Sequence, residues 1–218
     1  IILKLGTSNI MKVGDKVKKA LIITAHPDDA EISMGGHIIN MVNNGYYVKL
    51  LVLSVPEDKT RILEAGKSAE FLGIELKIVG DKSQVSQFSS SELVSIIDNE
   101  IEEFDPSYVF THWENDAHKD HRIIFKAVQS SSRCHSFTFL SFSPPNIYVS
   151  NALQFVPNIF VEINIEKKLR AIEFHRSQVN QKSYPIDGPK VQSVLFGKHI
   201  GVDYAEGFIL IRHIDRKC

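Results

Sequence analysis

Short apolar segments alternate with helical segments along most of the chain, and this alternation constrains the fold more than any other sequence feature. Residues 19–24 (KALIIT) form an apolar run rich in β-branched side chains that ends at a polar turn, as is typical of a buried strand. The predicted strands are 19–24, 47–54, 75–79, 107–111, 137–142, 159–163 and 208–212, and the predicted helices are 35–43, 56–72, 91–104, 119–130 and 166–178. Such alternation predicts an α/β fold with a mostly parallel sheet and right-handed crossovers.

Length, charge and cysteine usage narrow the class of protein. A chain of 218 residues suits one large domain, which we place at 19–218. Because the sequence begins at Ile1 and its first methionine is Met11, residues 1–18 are interpreted as an N-terminal extension or an expression remnant. The formal charge of −1 gives no basic field for nucleic acid, and no apolar run is long enough to be a transmembrane segment. Cys134 and Cys218 form no disulfide framework, which favours a cytoplasmic protein, and a homo-oligomer remains open.

A polar turn follows the first predicted strand, in residues 25–29 (AHPDD). A metal that activates water needs protein ligands, an open coordination position and a nearby base. Pro27 fixes its own φ and biases His26 towards an extended conformation, so one following carboxylate could bind metal while the other stays free. The alternative is a solvated turn in which an aspartate caps a helix. The glycines at 35–36 would allow close approach of the backbone to a ligand.

A second polar cluster, residues 111–122 (THWENDAHKDHR), contains three of the nine histidines and three acidic residues. His118 and His121 are three positions apart, so they share one face at the start of a helix, and either could bind a metal. Asp120 could orient a neighbouring imidazole. The alternative is a polar loop that caps the helix. Both clusters follow strands at the edge of the sheet where ligands bind in parallel α/β folds, so they are expected to converge.

With both clusters present, the sequence resembles the PIG-L/LmbE-like N-acetylglucosamine deacetylase family over most of its length. The matching residues are His26, Asp28, Asp29, Gly35 and Gly36 in the first motif, His118, Asp120 and His121 in the second, and Arg61, Glu64, 175–178 and 204–208 elsewhere. The resemblance implies a Rossmann-like three-layer sandwich with a mostly parallel central sheet. Many relatives carry Glu directly after the two aspartates, whereas Ala30 stands here and Glu31 follows.

The resemblance also implies residue roles. Zinc, or another divalent metal, would be bound by His26, Asp29 and His121. Asp28 would be the general base, and His118, supported by Asp120, would steady the oxyanion and protonate the leaving amine. Weaker candidates for substrate binding are Arg61, His175 and Glu206; a solvated helix arginine and a packed histidine explain the first two equally well.

The predicted function is zinc-dependent hydrolysis of an N-acetyl group on a small-molecule amino sugar or sugar conjugate, which releases acetate and a free amine. Two alternatives remain open from the residues. One is a metal-dependent esterase or phosphoesterase, because similar ligands support that chemistry. The other is a non-catalytic sugar-binding module. The sequence contains neither G-x-G-x-x-G nor G-x-x-x-x-G-K-[ST], so a standard phosphate-binding loop is unsupported.

Overall fold

A mixed but mostly parallel sheet forms the centre of the fold. The computed structural model describes residues 17–55, 59–79, 82–144, 155–180 and 187–215. In these ranges the strands are β1 (Lys19–Thr24), β2 (Tyr47–Val52), β3 (Glu75–Ile78), β4 (Tyr108–Thr111), β5 (Thr138–Phe142), β6 (Ile159–Glu162) and β7 (Ala205–Arg212). Their order in the sheet is β3-β2-β1-β4-β5-β7-β6. Strands β1 to β5 pair in parallel, whereas β7 runs antiparallel to β5 and β6, so the predicted mostly parallel sheet is confirmed.

Helices cover both faces of this sheet and make the fold a three-layer sandwich. They are α1 (Asp29–Asn43), α2 (Lys59–Leu72), α3 (Ser90–Phe104), α4 (Lys119–Ser131), α5 (Ile165–Ile172), α6 (Arg176–Asn180) and α7 (Asp187–Ile200). Alternate side chains of β1 point to opposite faces: Ile22 packs in the core that contains α1, and Ile23 in the core that contains α3 and α4. Each such fully buried side chain contributes about 1.5–3 kcal/mol. None of the described helices is long and apolar enough to span a membrane.

Two predicted helices differ from the structure, and one helix was not predicted. The first helix begins at Asp29 rather than at residue 35, because the Ile32 amide donates to the Asp28 carbonyl and closes a helical turn there. The predicted helix 166–178 is divided into α5 and α6. Helix α7 was not predicted, since its first turn contains Gly188 and Pro189, a pair that indicates a loop in sequence but is compatible with a helix start. Residues 1–16, 56–58 and Cys218 lie outside the described residues.

Helix α1 is interrupted at Met34, whose φ of −146° and ψ of 21° are not helical. Beyond the break, the Gly36 and His37 amides donate to the two carboxylate oxygens of Glu206 on β7, at 3.0 and 2.7 Å. Lys168 Nζ contacts the same carboxylate at 2.7 Å, and both side chains are buried. A Cβ atom on Gly36 would lie 2.6 Å from Ile163 Cβ. The backbone at Gly36 therefore approaches the Ile163 side chain too closely for a larger residue.

Candidate active site

The two polar clusters meet at the carboxyl ends of β1 and β4, which are neighbours in the sheet. The His26 ring centroid lies 5.0 Å from that of His118 and 5.7 Å from that of His121. The predicted convergence is confirmed, and it follows directly from the strand order.

The turn after β1 directs its two aspartates differently. Asp29, the first residue of α1, accepts a hydrogen bond from the His26 amide through Oδ2 at 2.8 Å. Asp28 has φ 98° and ψ −27°, a left-handed conformation that costs a non-glycine residue about 1–2 kcal/mol. Its side chain makes no capping bond to the helix. The two carboxylates contact different groups: that of Asp28 contacts Arg61, and that of Asp29 contacts histidines.

Asp28 has the electrostatic environment of a base that works near neutral pH. Burial and the neighbouring Asp29 charge raise the pKa of Asp28 to about 7, although Arg61 opposes them. Arg61 Nη2 donates to the Pro27 carbonyl at 3.0 Å and lies 3.3 Å from Asp28 Oδ1. The guanidinium therefore holds the turn and partly compensates the buried carboxylate.

His121 presents one buried nitrogen that has no hydrogen-bond partner. Its Nδ1 lies 2.8 Å from Asp116 Oδ2, and a carboxylate can only accept, so the proton is on Nδ1. The unpartnered Nε2 then faces Asp29 Oδ1 at 3.4 Å, which brings two acceptor atoms together in a buried place. Burial disfavours charge on His121, but Asp29 and Asp116 outweigh it and raise its pKa to about 10. This position favours a positive charge. A proton or a bound cation between His121 Nε2 and Asp29 Oδ1 would supply it.

His26 lies between two carboxylates. Its Nδ1 is 3.5 Å from Asp29 Oδ2, and its Nε2 is 3.5 Å from Asp120 Oδ2. Burial lowers the pKa of His26, but hydrogen bonds to Asp120 and Asp29 raise it to about 9. Asp120 is fixed in turn by the Val85 amide, which donates to its Oδ2 at 3.1 Å.

His118 occupies the N-cap position of α4 and is exposed. Its Nδ1 accepts from the Asp120 amide at 3.2 Å, so a neutral ring carries its proton on Nε2. Burial of part of the ring and the nearby His121 and His26 lower the pKa of His118. The structure links Asp120 to His118 through this backbone hydrogen bond, whereas the Asp120 carboxylate contacts His26.

The donor set fits a divalent metal. Nitrogen atoms of His26, His118 and His121 lie within 4.8 Å of one another, as do donor atoms of Asp29, His112 and His121. His121 belongs to both groups, and its free Nε2 faces a carboxylate oxygen. Imidazole and carboxylate donors suit zinc and similar ions.

The chain is similar to known proteins in sequence and in fold. Residues 21–132, just over half of the chain, match the sequence model of the PIG-L family, described as GlcNAc-PI de-N-acetylase. The chain belongs to the PIG-L family. It is 26% identical to an uncharacterized deacetylase, YaiS, of Escherichia coli K12, over 80% of this chain and 99% of that protein.

Two further proteins are similar to this PIG-L protein, one in sequence and one in fold. It is 28% identical to the diacetylchitobiose deacetylase of Thermococcus kodakarensis, over 88% of this chain and 82% of that protein. The crystal structure of the conserved protein TT1542 from Thermus thermophilus has the same fold, with a TM-score of 0.77 at 21% identity, and covers 91% of this chain and 96% of that one.

The three residues predicted to bind substrate lie in different environments. Arg61 is within the PIG-L match and touches Asp28. His175 is buried, and its Nε2 lies 3.1 Å from Glu31 Oε1, which raises its pKa against the effect of burial. Both carboxylate oxygens of Glu206 accept hydrogen bonds, from two amides of α1 and from Lys168. The structure thus brings Arg61 to the turn after β1, whereas Glu206 is part of the α1 packing.

Sequence reasoning gave no specific role to Asp116, Glu31 or His112. Asp116 also accepts from the His118 amide through Oδ1 at 2.8 Å, so one carboxylate holds the ring of His121 and the backbone of His118. The sequence feature that could have indicated Asp116 is the density of acidic residues in 111–122. The sequence analysis instead expected Asp120 to orient a neighbouring imidazole. Glu31 accepts from Ser68 Oγ at 2.6 Å beside His175.

Proposed function

We propose that this PIG-L family protein is a zinc-dependent N-deacetylase, which hydrolyses the acetyl amide of an amino sugar or sugar conjugate. The observation that carries the proposal is the pairing of a buried carboxylate of pKa about 7, Asp28, with the adjacent Asp29–His121 donor pair. A water-activating site needs such a base beside its metal ligands. Two relatives named as deacetylases favour amide hydrolysis over other reactions.

The proposed metal ligands are His26, Asp29 and His121. A divalent metal held there would polarise the amide carbonyl and make the attacking water more acidic. Asp29 uses Oδ2 for the His26 amide, which leaves Oδ1 free, and His121 offers its unpartnered Nε2. Asp116 sets the tautomer that exposes this nitrogen.

Asp28 is the proposed proton acceptor, and His118 is the proposed hydrogen-bond donor to the oxyanion. Asp28 accepts the proton of the attacking water, because a carboxyl of pKa about 7 is largely ionised just above neutral pH. His118 has its Nδ1 engaged by a backbone amide, so its Nε2–H donates a hydrogen bond to the developing oxyanion. A neutral imidazole that lost this proton would become an imidazolate, so the departing amine nitrogen receives the proton that Asp28 took from the water. Asp120 holds His118 through its amide. Arg61, His175 and Glu206 remain the predicted substrate-binding residues.

The decisive experiment is Asp28→Asn, measured by acetate release from a panel of N-acetylglucosamine conjugates together with the metal content of the protein. Loss of the base is expected to lower turnover by about 10²–10⁴-fold while zinc is retained. Asp105→Asn is the matched control, because Asp105 also has a positive φ, of 47°, but lies exposed at the end of α3. Activity that survives in the Asp28 variant excludes Asp28 as the base.

Two companion measurements separate the alternatives. A chelator should abolish acetate release and zinc should restore it; turnover that is insensitive to chelation would overturn the zinc mechanism. When matched amide and ester substrates are compared, the amide should be hydrolysed. Hydrolysis of the ester alone would indicate an esterase, and sugar binding without turnover would indicate a binding module.

A further inference from the structure

His112 is the most buried titratable group beside the proposed metal ligands, and the mechanism above does not use it. It follows β4 directly, and its exposed fraction is 0%. Its Nε2 lies 2.9 Å from the Ala25 amide nitrogen and 3.5 Å from Asp29 Oδ2. By distance alone it belongs to a group of donors that could hold a metal.

The hydrogen bond from Ala25 decides what His112 can do. A backbone N–H can only donate, so the Nε2 lone pair of His112 is the acceptor, and the ring proton lies on Nδ1. The lone pair that would bind a metal is therefore already used. The opposite nitrogen, Nδ1, is buried without a hydrogen-bond partner, and the ring meets Phe142 edge to face at a centroid distance of 5.0 Å.

The ring of His112 also supports that of His121. The two imidazoles stack with centroids 3.8 Å apart and planes 11° from parallel. Asp116 restrains His121 within the plane of its ring, through Nδ1, and His112 restrains it perpendicular to that plane. Together the two contacts fix the direction of the unpartnered His121 Nε2.

The same side chain fixes the end of β1. Ala25 directly precedes His26, and its carbonyl accepts from the Ser54 amide and hydroxyl, each at 2.9 Å. His112 supplies the acceptor for the Ala25 N–H, so both backbone groups of this residue are held. His112 thereby joins the strand end that carries His26 to the imidazole of His121.

We propose that His112 is a positioning residue that does not bind the metal but sets the spacing between His26 and His121 by accepting from Ala25 and stacking on His121. The inference rests on the proposed function only in taking His26, Asp29 and His121 as the ligands.

Two variants separate the two contacts. His112→Gln keeps an acceptor at the position of Nε2, and His112→Phe keeps a ring that can stack but has no acceptor. The measurements are zinc affinity by chelator competition, zinc stoichiometry, and the visible absorption of the Co²⁺-substituted protein. Because a positioning contact next to metal ligands is typically worth 10–100-fold in affinity, His112→Phe should weaken zinc binding by about that factor, with partial rescue in His112→Gln.

The Co²⁺ spectrum distinguishes positioning from ligation. Both variants should keep one metal per chain and the band positions of the wild type, since no ligand has been removed. Changed band positions in His112→Gln would show that His112 is a ligand, and wild-type zinc affinity in both variants would show that it positions nothing. Nitrogen-15 NMR of the metal-free wild type should show the Nδ1–H tautomer, which keeps the inference testable if the Phe variant fails to fold; the Nε2–H tautomer would overturn it.

None of these measurements depends on turnover. A protein that binds zinc as described but releases no acetate from any acetamido sugar would refute the proposed function and leave the role of His112 intact. Conversely, acetate release that is unaffected by either variant, with zinc affinity unchanged, would overturn the inference alone.

Discussion

Replacement of Arg61 by methionine should move the acid side of the pH–rate profile to higher pH. Arg61 Nη2 lies 3.3 Å from Asp28 Oδ1, and both side chains are largely buried, with exposed fractions of 12% and 8%. Even with the dielectric constant of water, two unit charges at that distance interact by about 1.3 kcal/mol, or about one pH unit. Burial strengthens the interaction, so the expected range is about one to three pH units.

The sign follows from the charge of the base. Arg61 stabilises the ionised Asp28 carboxylate and so lowers its pKa; without Arg61 the pKa rises above its present value of about 7. A rise of about one unit would reduce the ionised fraction at pH 7 from about one half to about one tenth. The activity that depends on the ionised base falls in proportion.

The assay is kcat/KM against pH, which reports the pKa of the essential base in the free enzyme. Arg61→Lys should shift the acid limb less, because it keeps the charge without the planar fork. Arg133→Met, at an exposed position beyond α4, is the control and should leave the profile unchanged. An acid limb that stays in place in Arg61→Met while KM rises would refute this reasoning and support the predicted substrate-binding role of Arg61.

Two further changes test the framework around the site. Asp116→Asn should weaken zinc binding by about 10–100-fold, because the amide no longer fixes the tautomer of His121 as a carboxylate does; chelator competition measures this, and unchanged affinity would contradict it. Gly36→Ala should destabilise the fold by about 1–3 kcal/mol, because the new Cβ would lie 2.6 Å from Ile163 Cβ. Gly66→Ala is its matched control: no atom lies within 4 Å of the added Cβ, so the helix should gain about 0.5–1 kcal/mol, and denaturant unfolding of the two variants should give opposite signs.

The location of the site could be predicted from the sequence because it depends on few facts. The runs that end at Thr24 and Thr111 are apolar and short, and a polar cluster follows each. Once these strands are parallel neighbours, the clusters must meet at one edge of the sheet. No side-chain geometry is needed for that step.

The hydrogen-bond partners inside the site could not be predicted in this way. Asp116 and Asp120 are both acidic and both near His121 in sequence, and only the path of the chain into α4 places Asp116 on its Nδ1. The start of α1 was also hidden, because a left-handed Asp28 begins the helix while the two glycines that suggest a start lie beyond a break at Met34. Such features depend on contacts with distant segments, which local patterns do not record.

The contact between Glu206 and the second half of α1 has a consequence for how the molecule is assembled during synthesis. Gly36 and Glu206 are 170 residues apart, and β7 is the last strand in the described part of the chain. All the proposed metal ligands precede β7 in the chain and lie within the segment that matches the family, yet the helix that begins at Asp29 receives this buried cap only when β7 has docked. Domains generally fold as units after emerging from the ribosome, and contacts of such separation form late. The segment 21–132 therefore lacks the acceptor of the Gly36 and His37 amides, and only the arrival of β7 completes this part of α1.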